Sequence, residues 1–293
     1  MNHKCGYITI AGRPNVGKST LLNQILGQKI AIISAKPNTT RNRILGVKTL
    51  AEAQLIFLDT PGIHQPKKVL NKYMVEAALR SAKEADLLYL MIDASAPWIG
   101  DDLLTLGHLQ RFSLPILLVI NKIDLVNKMD LLPLIDRSRA LFEFKEIIPV
   151  SSTLADGIER LLQVTIPFLP EGPALFPEDM LTDQAERFWA GELIREKIFN
   201  FTHQEIPYSS AVVIEEWEKT EKLIRIRGII YLEKDSQKGI IIGEKGAMIK
   251  KIGQASREEM EKILGHKIFL DLRVKVSEDW TKNEDRIKRM GYR

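Results

Sequence analysis

The feature that most constrains this chain is the octapeptide Gly12-Arg13-Pro14-Asn15-Val16-Gly17-Lys18-Ser19, which fits G-x-x-x-x-G-K-[ST]. It lies between an apolar strand-like run over 7–11 and a helical pattern over 18–27, the strand–turn–helix setting in which such a loop cradles phosphates. Glycine lets the main chain wrap closely round phosphate oxygens, and the amides at the helix start supply donors and positive potential. Gly12, Asn15, Val16, Gly17, Lys18, Ser19 and Thr20 form the expected cradle. Lys18 is placed to reach the β- and γ-phosphates of a nucleotide, and the Ser19 hydroxyl to ligate Mg²⁺.

A phosphate loop of this kind implies an α/β sheet, and the first half of the sequence supplies one. Strand-like runs at 7–11, 43–50, 54–59, 87–93, 116–121 and 147–151 alternate with helical patterns at 18–27, 69–84, 100–112, 128–142 and 157–168. The unbroken apolar runs over 87–92 and 116–120 suit central parallel strands covered on both faces. A doubly wound, mostly parallel P-loop domain over 1–171 follows. Pro167, Pro170, Gly172, Pro173 and Pro177 then crowd together, so 172–182 is read as a stiff, extended linker. Beyond it the order becomes helix, strand, strand, helix, helix, strand, with a basic terminal helix near 280–290. That order defines a smaller α+β domain over 183–293. A length of 293 residues agrees with two domains.

Three further segments sit where ligands gather in open sheets, at the carboxyl ends of strands. Asp59-Thr60-Pro61-Gly62 follows the third strand; Asp59 is placed to hold Mg²⁺ and the Gly62 amide to meet a γ-phosphate. Asn121-Lys122-Ile123-Asp124 follows the strongest buried strand. A carboxylate at Asp124 accepts two hydrogen bonds from a guanine ring N–H and exocyclic amine, a donor pair that adenine lacks. Asn121 tethers neighbouring loops and the base, while the aliphatic stem of Lys122 packs on the ring. Ser151 and Ser152, after the last strand, can place a backbone amide on the guanine carbonyl. Between the first helix and the second strand, Thr40 is the first choice and Thr39 the second to complete Mg²⁺ coordination when γ-phosphate is bound. Lys18, Thr40 and Gly62 are the residues expected to act on the transferred phosphoryl group. The ligands implied are GTP or GDP and Mg²⁺, the latter held by Ser19, Thr40 and Asp59.

Composition narrows the setting. The longest apolar runs fall far short of a membrane span, no signal peptide is visible, and a single cysteine, Cys5, excludes an intrachain disulfide. A cytoplasmic monomer is the expectation. Net charge is only +4, with 20 Lys+Arg against 16 Asp+Glu over 1–171 and balanced charge beyond. Any nucleic-acid surface must therefore be a local patch. One exists: from Lys234 to Lys251 five lysines accompany two acids. Within it Gly243-Glu244-Lys245-Gly246 forms a G-x-x-G turn between two helices, able to clamp a nucleic-acid backbone. The bland alternative for such a turn is a plain helix–turn–helix corner.

Taken together, the chain resembles the Era family of GTPases, a Ras-like GTP-binding domain followed by an RNA-binding KH domain. The resemblance rests on Gly12–Ser19, Thr39-Thr40-Arg41, Asp59–Gly62, Asn121–Asp124 and the stretch from Ile241 to Gly253. It implies a type II KH fold for the second domain, binding of small-subunit ribosomal RNA, and a role in maturing the small ribosomal subunit. Ile241, Gly243, Glu244, Lys245, Gly246, Lys250 and Lys251 are the expected RNA contacts, and Ile241, Ile242, Ile249 and Ile252 the expected apolar wall beside exposed bases. Ras-like enzymes place a water-orienting glutamine after Asp-x-x-Gly; here stands Ile63, so intrinsic hydrolysis should be slow. Asn15 resembles the asparagine that binds K⁺ in related potassium-stimulated GTPases, or else braces the loop. His64 reads as a solvated histidine in preference to a general base. Two rivals stay open: a module that holds GTP without turnover, and a peripheral switch at the inner membrane face resting on Arg286-Ile287-Lys288-Arg289.

Overall fold

Strands that are apolar at every position must be covered on both faces, and β4 (Leu87–Asp93) obeys this literally. Leu87, Tyr89 and Met91 enter one apolar cluster with residues of α1 (Lys18–Leu26) and α5 (Ile158–Thr165). Leu88, Leu90 and Ile92 enter another, with residues of α2 (Val69–Glu84), α3 (Gly100–Leu109) and α4 (Lys128–Leu141). The structure, a computed structural model, describes residues 3–66 and 68–292. The chain divides into two units, Met1–Lys67 with Lys72–Asp183, and Lys68–Asn71 with Gln184–Arg293.

The first unit holds β1 (Lys4–Ala11), β2 (Ile44–Thr49), β3 (Ala53–Asp59), β4, β5 (Ile116–Asn121) and β6 (Glu146–Pro149) in the order β2-β3-β1-β4-β5-β6. All neighbours are parallel except β2, which runs antiparallel to β3. The reason is length: only Leu50, Ala51 and Glu52 join β2 to β3, enough for a hairpin and far too few for a parallel crossover. The mostly parallel doubly wound sheet is thus as expected. β6 stops at Pro149, which lacks an N–H; Ser151 instead makes an isolated bridge to Asp156.

The second unit runs α6 (Glu186–Phe201), α7 (Ile206–Ser209), β7 (Ala211–Lys219), β8 (Leu223–Leu232), α8 (Asp235–Ile242), α9 (Ala247–Leu264), β9 (Lys267–Val276) and α10 (Glu284–Arg289). Its sheet has the order β7-β8-β9, antiparallel then parallel. The parallel β8–β9 pair needs a long crossover, and α8 with α9 provides it. Leu193, Ile194 and Ile198 of α6 pack with Ile226 and Ile230 of β8 and with Ile252 and Met260 of α9. The single turn α7 had no expectation in the sequence.

The segment 172–182 departs from its expected character. Its prolines favour an extended chain, yet it belongs to the first unit, where several of its main-chain and side-chain groups are hydrogen-bonded to β2 and β3. Gln54, fully buried in β3, accepts from the amides of Leu175 (2.8 Å) and Phe176 (2.9 Å) and donates to the Phe176 carbonyl (2.8 Å). Val47 N donates to Leu181 O (2.8 Å), and Thr182 Oγ1 to Leu45 O (2.6 Å). Phe176 covers a small apolar cluster of Leu45, Val47, Ile56 and Leu58. The segment is a clasp.

Candidate functional site

Loops that leave the carboxyl ends of β1, β3 and β5 come together with the loop after β6. At the phosphate loop, Gly17 has φ 102°, and a Cβ there would fall 2.3 Å from Asn121 Nδ2. That contact explains the glycine: Asn121 Nδ2 donates to Val16 O at 2.7 Å, while its Oδ1 accepts from Ser152 N and Oγ, both at 2.9 Å. The predicted tether between loops is therefore present. Ser151 Oγ donates to Asp124 Oδ1 at 2.6 Å, fixing the carboxylate expected to meet the base. The Val16 side chain is buried in the core, so only its main chain faces the cleft.

A second cluster lies at the start of α1. Ser19 Oγ donates to Asp59 Oδ2 at 2.6 Å and lies 2.9 Å from Thr40 Oγ1. Thr39 Oγ1 instead donates to Lys36 O at 2.8 Å, so of the two threonines it is Thr40 whose hydroxyl lies beside Ser19. Asp59 is wholly buried, and its Oδ1 has no hydrogen-bond partner. Burial pushes its carboxyl up to about 6, against the opposing pull of Lys18, Ser19, Thr60 and Thr40. A buried carboxylate oxygen left over beside two hydroxyls is an oxygen-only set that suits a hard divalent cation. No group of three or more His, Cys, Asp or Glu able to hold a metal occurs among the described residues. The set therefore fits Mg²⁺, which keeps waters and phosphate oxygens in its shell, better than a caged metal. Lys18 Nζ donates to Gly12 O (3.1 Å) and Arg13 O (2.9 Å), and burial lowers it to about 8. A narrow cleft of about 60 Å³ is lined by Asn15, Gly17, Lys18, Ser19, Thr20, Thr40 and Gly62 among others.

The turn after Asp59 reaches the phosphate loop directly. Ile63 N donates to Gly12 O at 3.1 Å, and Gly62 lies against Pro14. The Ile63 side chain is fully buried in the core cluster containing Ala78 and Leu90, so it presents nothing to a water. His64 is not the solvated ring expected: Nδ1 donates to Gly62 O at 2.9 Å, and Nε2 is enclosed without a partner. Asn15, at φ 65°, donates through Nδ2 to Ala35 O at 2.7 Å and so joins the phosphate loop to the Thr40 segment.

One group was missed in the sequence. Arg13 Nε pairs with the fully buried Asp102 of α3 at 3.1 Å, and Arg13 Nη2 lies 4.0 Å from Asp93 at the end of β4. Asp93 Oδ2 also accepts from Lys122 Nζ at 2.6 Å. Burial alone would raise the Asp93 carboxyl, but hydrogen bonds from Lys122 and Ser95 outweigh it and hold it below its ordinary value. Lys122 is in the left-handed region at φ 65°, a conformation that costs a side-chain-bearing residue roughly 1–3 kcal/mol. The available signal was position: an aspartate at the carboxyl end of a buried parallel strand.

In the second unit, Gly243 (φ 74°), Lys245 (φ 50°) and Gly246 (φ 81°) turn the chain between α8 and α9. Glu244 and Lys245 are exposed. Beside this turn, Ile249, Lys250 and Arg257 of α9 face Phe269 and Leu272 of β9 across a groove of about 430 Å³. Phe269 is 56% exposed, and the Arg225 guanidinium lies 5.8 Å from the centre of its ring. Three expectations need correction. Ile241 and Ile252 are wholly buried in the unit's core and cannot line a surface. Lys251 turns away from the groove, its ammonium 4.4 Å from the centre of the Phe201 ring. Arg257 and Phe269, not singled out in the sequence, line the groove. Nothing in a lone exposed aromatic distinguishes it from a core residue until β9 is placed at a sheet edge.

A phosphate loop, an oxygen cluster and a guanine-type loop on one parallel sheet, followed by an α-β-β-α-α-β unit with a G-x-x-G turn, define a P-loop GTPase with an appended KH module. The 50S ribosome-binding GTPase family matches residues 7–122, and the KH domain family residues 205–281. GTPase Era of Geotalea uraniireducens is 51% identical over 290 residues, covering 99% of this chain and 98% of its own. Two solved structures are each 44% identical and cover 99% of both chains. One is a point variant of Aquifex aeolicus Era bound to GDP and aluminium fluoride, with a TM-score of 0.95. The other is Era in complex with MgGDPNP and nucleotides 1506–1542 of 16S ribosomal RNA, with a TM-score of 0.96. The chain belongs to the Era family of GTPases.

Proposed function

We propose that this chain binds GTP with Mg²⁺ in the cleft of its first unit, hydrolyses it slowly, and holds small-subunit ribosomal RNA in the groove of its second. The reading places it, as a cytoplasmic monomer, in assembly of the small subunit. In hydrolysis a water attacks the γ-phosphorus, the bond to the β–γ bridging oxygen breaks, and GDP and phosphate leave. Lys18 supplies positive charge where the transferred group gathers negative charge. Mg²⁺, when bound, neutralises β- and γ-phosphate oxygens; Ser19, Thr40 and Asp59 would hold it. The Gly62 amide senses the γ-phosphate, and Asp124, oriented by Ser151, selects guanine. A slow rate is supported by the burial of Ile63, which leaves no side chain to orient water at that position.

The observation that carries the RNA half is the glycine turn beside an open groove with a cationic and aromatic lining, in a chain 44% identical to an Era solved with a 16S segment. Bases stack on exposed aromatics, and phosphates approach a glycine turn. An RNA of nucleotides 1506–1542 of 16S ribosomal RNA tests it. Binding should weaken at least about tenfold when Gly243 and Gly246 both become Asp, and should fall with added salt. Unchanged affinity in that double variant removes the groove from the account.

A K⁺ requirement rests on the resemblance of Asn15 to the potassium-binding asparagine of related GTPases; in the structure Asn15 Nδ2 donates to the Ala35 carbonyl, the contact the bracing alternative expects. Faster hydrolysis in K⁺ than in Na⁺, lost in Asn15→Ala, is the expected result. The membrane reading is weakened by α10: Ile287 is fully buried and Met290 nearly so, leaving no apolar face for a bilayer. No helix among the described residues is long and apolar enough to cross a membrane. Co-sedimentation with anionic vesicles should be negligible beside RNA binding.

A further inference from the structure

Lys122 stands in the guanine-type loop, yet its ammonium is spent on a group outside every recognised motif. Nζ lies 2.6 Å from Asp93 Oδ2, and the side chain of Asp93 is 8% exposed. The other carboxylate oxygen is filled as well: Asp93 Oδ1 accepts from Ser95 N at 2.9 Å and Ser95 Oγ at 2.6 Å. The carboxylate is thus fixed before Lys122 reaches it. Arg13 comes to the same carboxylate at 4.0 Å and is anchored on its far side by Asp102 Oδ1 at 3.1 Å and Ala96 O at 3.1 Å. One aspartate therefore faces cations from two loops, the phosphate loop and the loop after β5.

We propose that Asp93 is a positioning residue for guanine-nucleotide binding, holding the Lys122 stem extended across the base site and locking that loop to the phosphate loop. The inference rests on the reading of the cleft as a GTP site. Lys122 has a left-handed backbone and a flexible four-carbon side chain, so without an anchor its stem samples many directions. With Nζ held at Asp93, the methylenes form a fixed apolar surface on which a purine ring can lie. The charge of Asp93 would by itself oppose binding, because it offsets cationic potential near the phosphates. The two effects have opposite signs, which makes them separable.

The experiment is GDP affinity and dissociation rate in the full chain with Mg²⁺, for Asp93→Asn, Asp93→Glu, Lys122→Met and the double variant Asp93→Asn/Lys122→Met. Positioning predicts that Asp93→Asn weakens GDP binding about tenfold, the scale of one charge-assisted hydrogen bond. The loss should appear in dissociation, with single-turnover hydrolysis at saturating GTP unchanged. In the Lys122→Met background, Asp93→Asn should cost almost nothing. Asp93→Glu keeps the charge but displaces it by one methylene; a positioning role weakens binding there too, and this variant decides the matter if the Asn form fails to fold. Tighter or unchanged GDP binding in Asp93→Asn, or an undiminished loss when Lys122 is already Met, overturns the proposal. If Lys122→Met alone leaves GDP affinity intact, the anchored ammonium is not needed and the proposal is overturned; if the unaltered chain shows no saturable GDP binding, it is the reading of the cleft as a nucleotide site that fails.

Discussion

Asp59 is the residue at which function and stability pull hardest against each other. The fold buries its carboxyl among Ser19, Thr40 and Lys18 and leaves one oxygen without a donor. Moving that group from 3.8 to about 6 corresponds to a cost on the order of 3 kcal/mol for the ionised form. The sign follows: its contribution to stability is complete below 3.8 and is lost as pH rises through about 6. In nucleotide-free, metal-free protein, Asp59→Asn should therefore raise the melting temperature by several degrees at pH 7. The gap should narrow to about half near pH 5, where the native carboxyl is mostly protonated but the unfolded one is still ionised, and close only below 3.8; scanning calorimetry from pH 7 to below 3.8 checks it. Mg²⁺-dependent nucleotide binding should be lost in the same variant. Asp124→Asn swaps an acceptor for a donor, so GTP affinity should fall about a hundredfold or more while xanthosine triphosphate gains, as competition against labelled GDP would report. These residues were legible because phosphate and guanine demand fixed atoms at fixed spacing. Asp93 and Asp102 were not: their partners, Arg13 and Lys122, lie distant in sequence, and only the fold brings them into reach.

At the scale of elements, the two glycines of the G-x-x-G turn do different work. A Cβ on Gly243 would fall 2.7 Å from Met248 N, a main-chain clash at the start of α9, whereas one on Gly246 meets open space. Gly246→Ala should cost only about 1 kcal/mol for its left-handed backbone and leave the RNA groove usable. Gly243→Ala should cost more and weaken RNA binding by displacing the start of α9; urea unfolding and RNA titration of the pair would order them. The helix–strand alternation of the first unit was readable because both-face burial leaves unbroken apolar runs such as β4. The turn itself was readable because glycine spacing is local. The lining of the groove was not, since Ile241 and Ile249 are the same residue type and differ only in which way the helix axes point them. Periodicity gives a face, but the identity of the neighbour on that face is tertiary.

For the whole molecule, the informative stretch is 172–182. Proline density implied an independent linker, and it missed the clasp because a lone glutamine within an apolar strand gives no hint that it will bind a distant main chain. A chain ended after residue 171 should melt about 5–10 °C below one ended after 183, since it uncovers Leu45, Val47 and Ile56 and strips Gln54 of its clasp. Gln54→Leu in the longer form should reproduce part of that loss, measured by thermal unfolding. Domains emerging from the ribosome generally fold in order, amino end first. Here β1 meets Glu171 at Lys4, and β2 is joined to Leu181 and Thr182. The nascent GTPase unit thus cannot close its outer edge until translation has passed the last proline and reached the doorstep of α6. Its final tie is made by the same residues that lead into the KH module, so this GTPase completes its own catalytic half only when the other half is already being born.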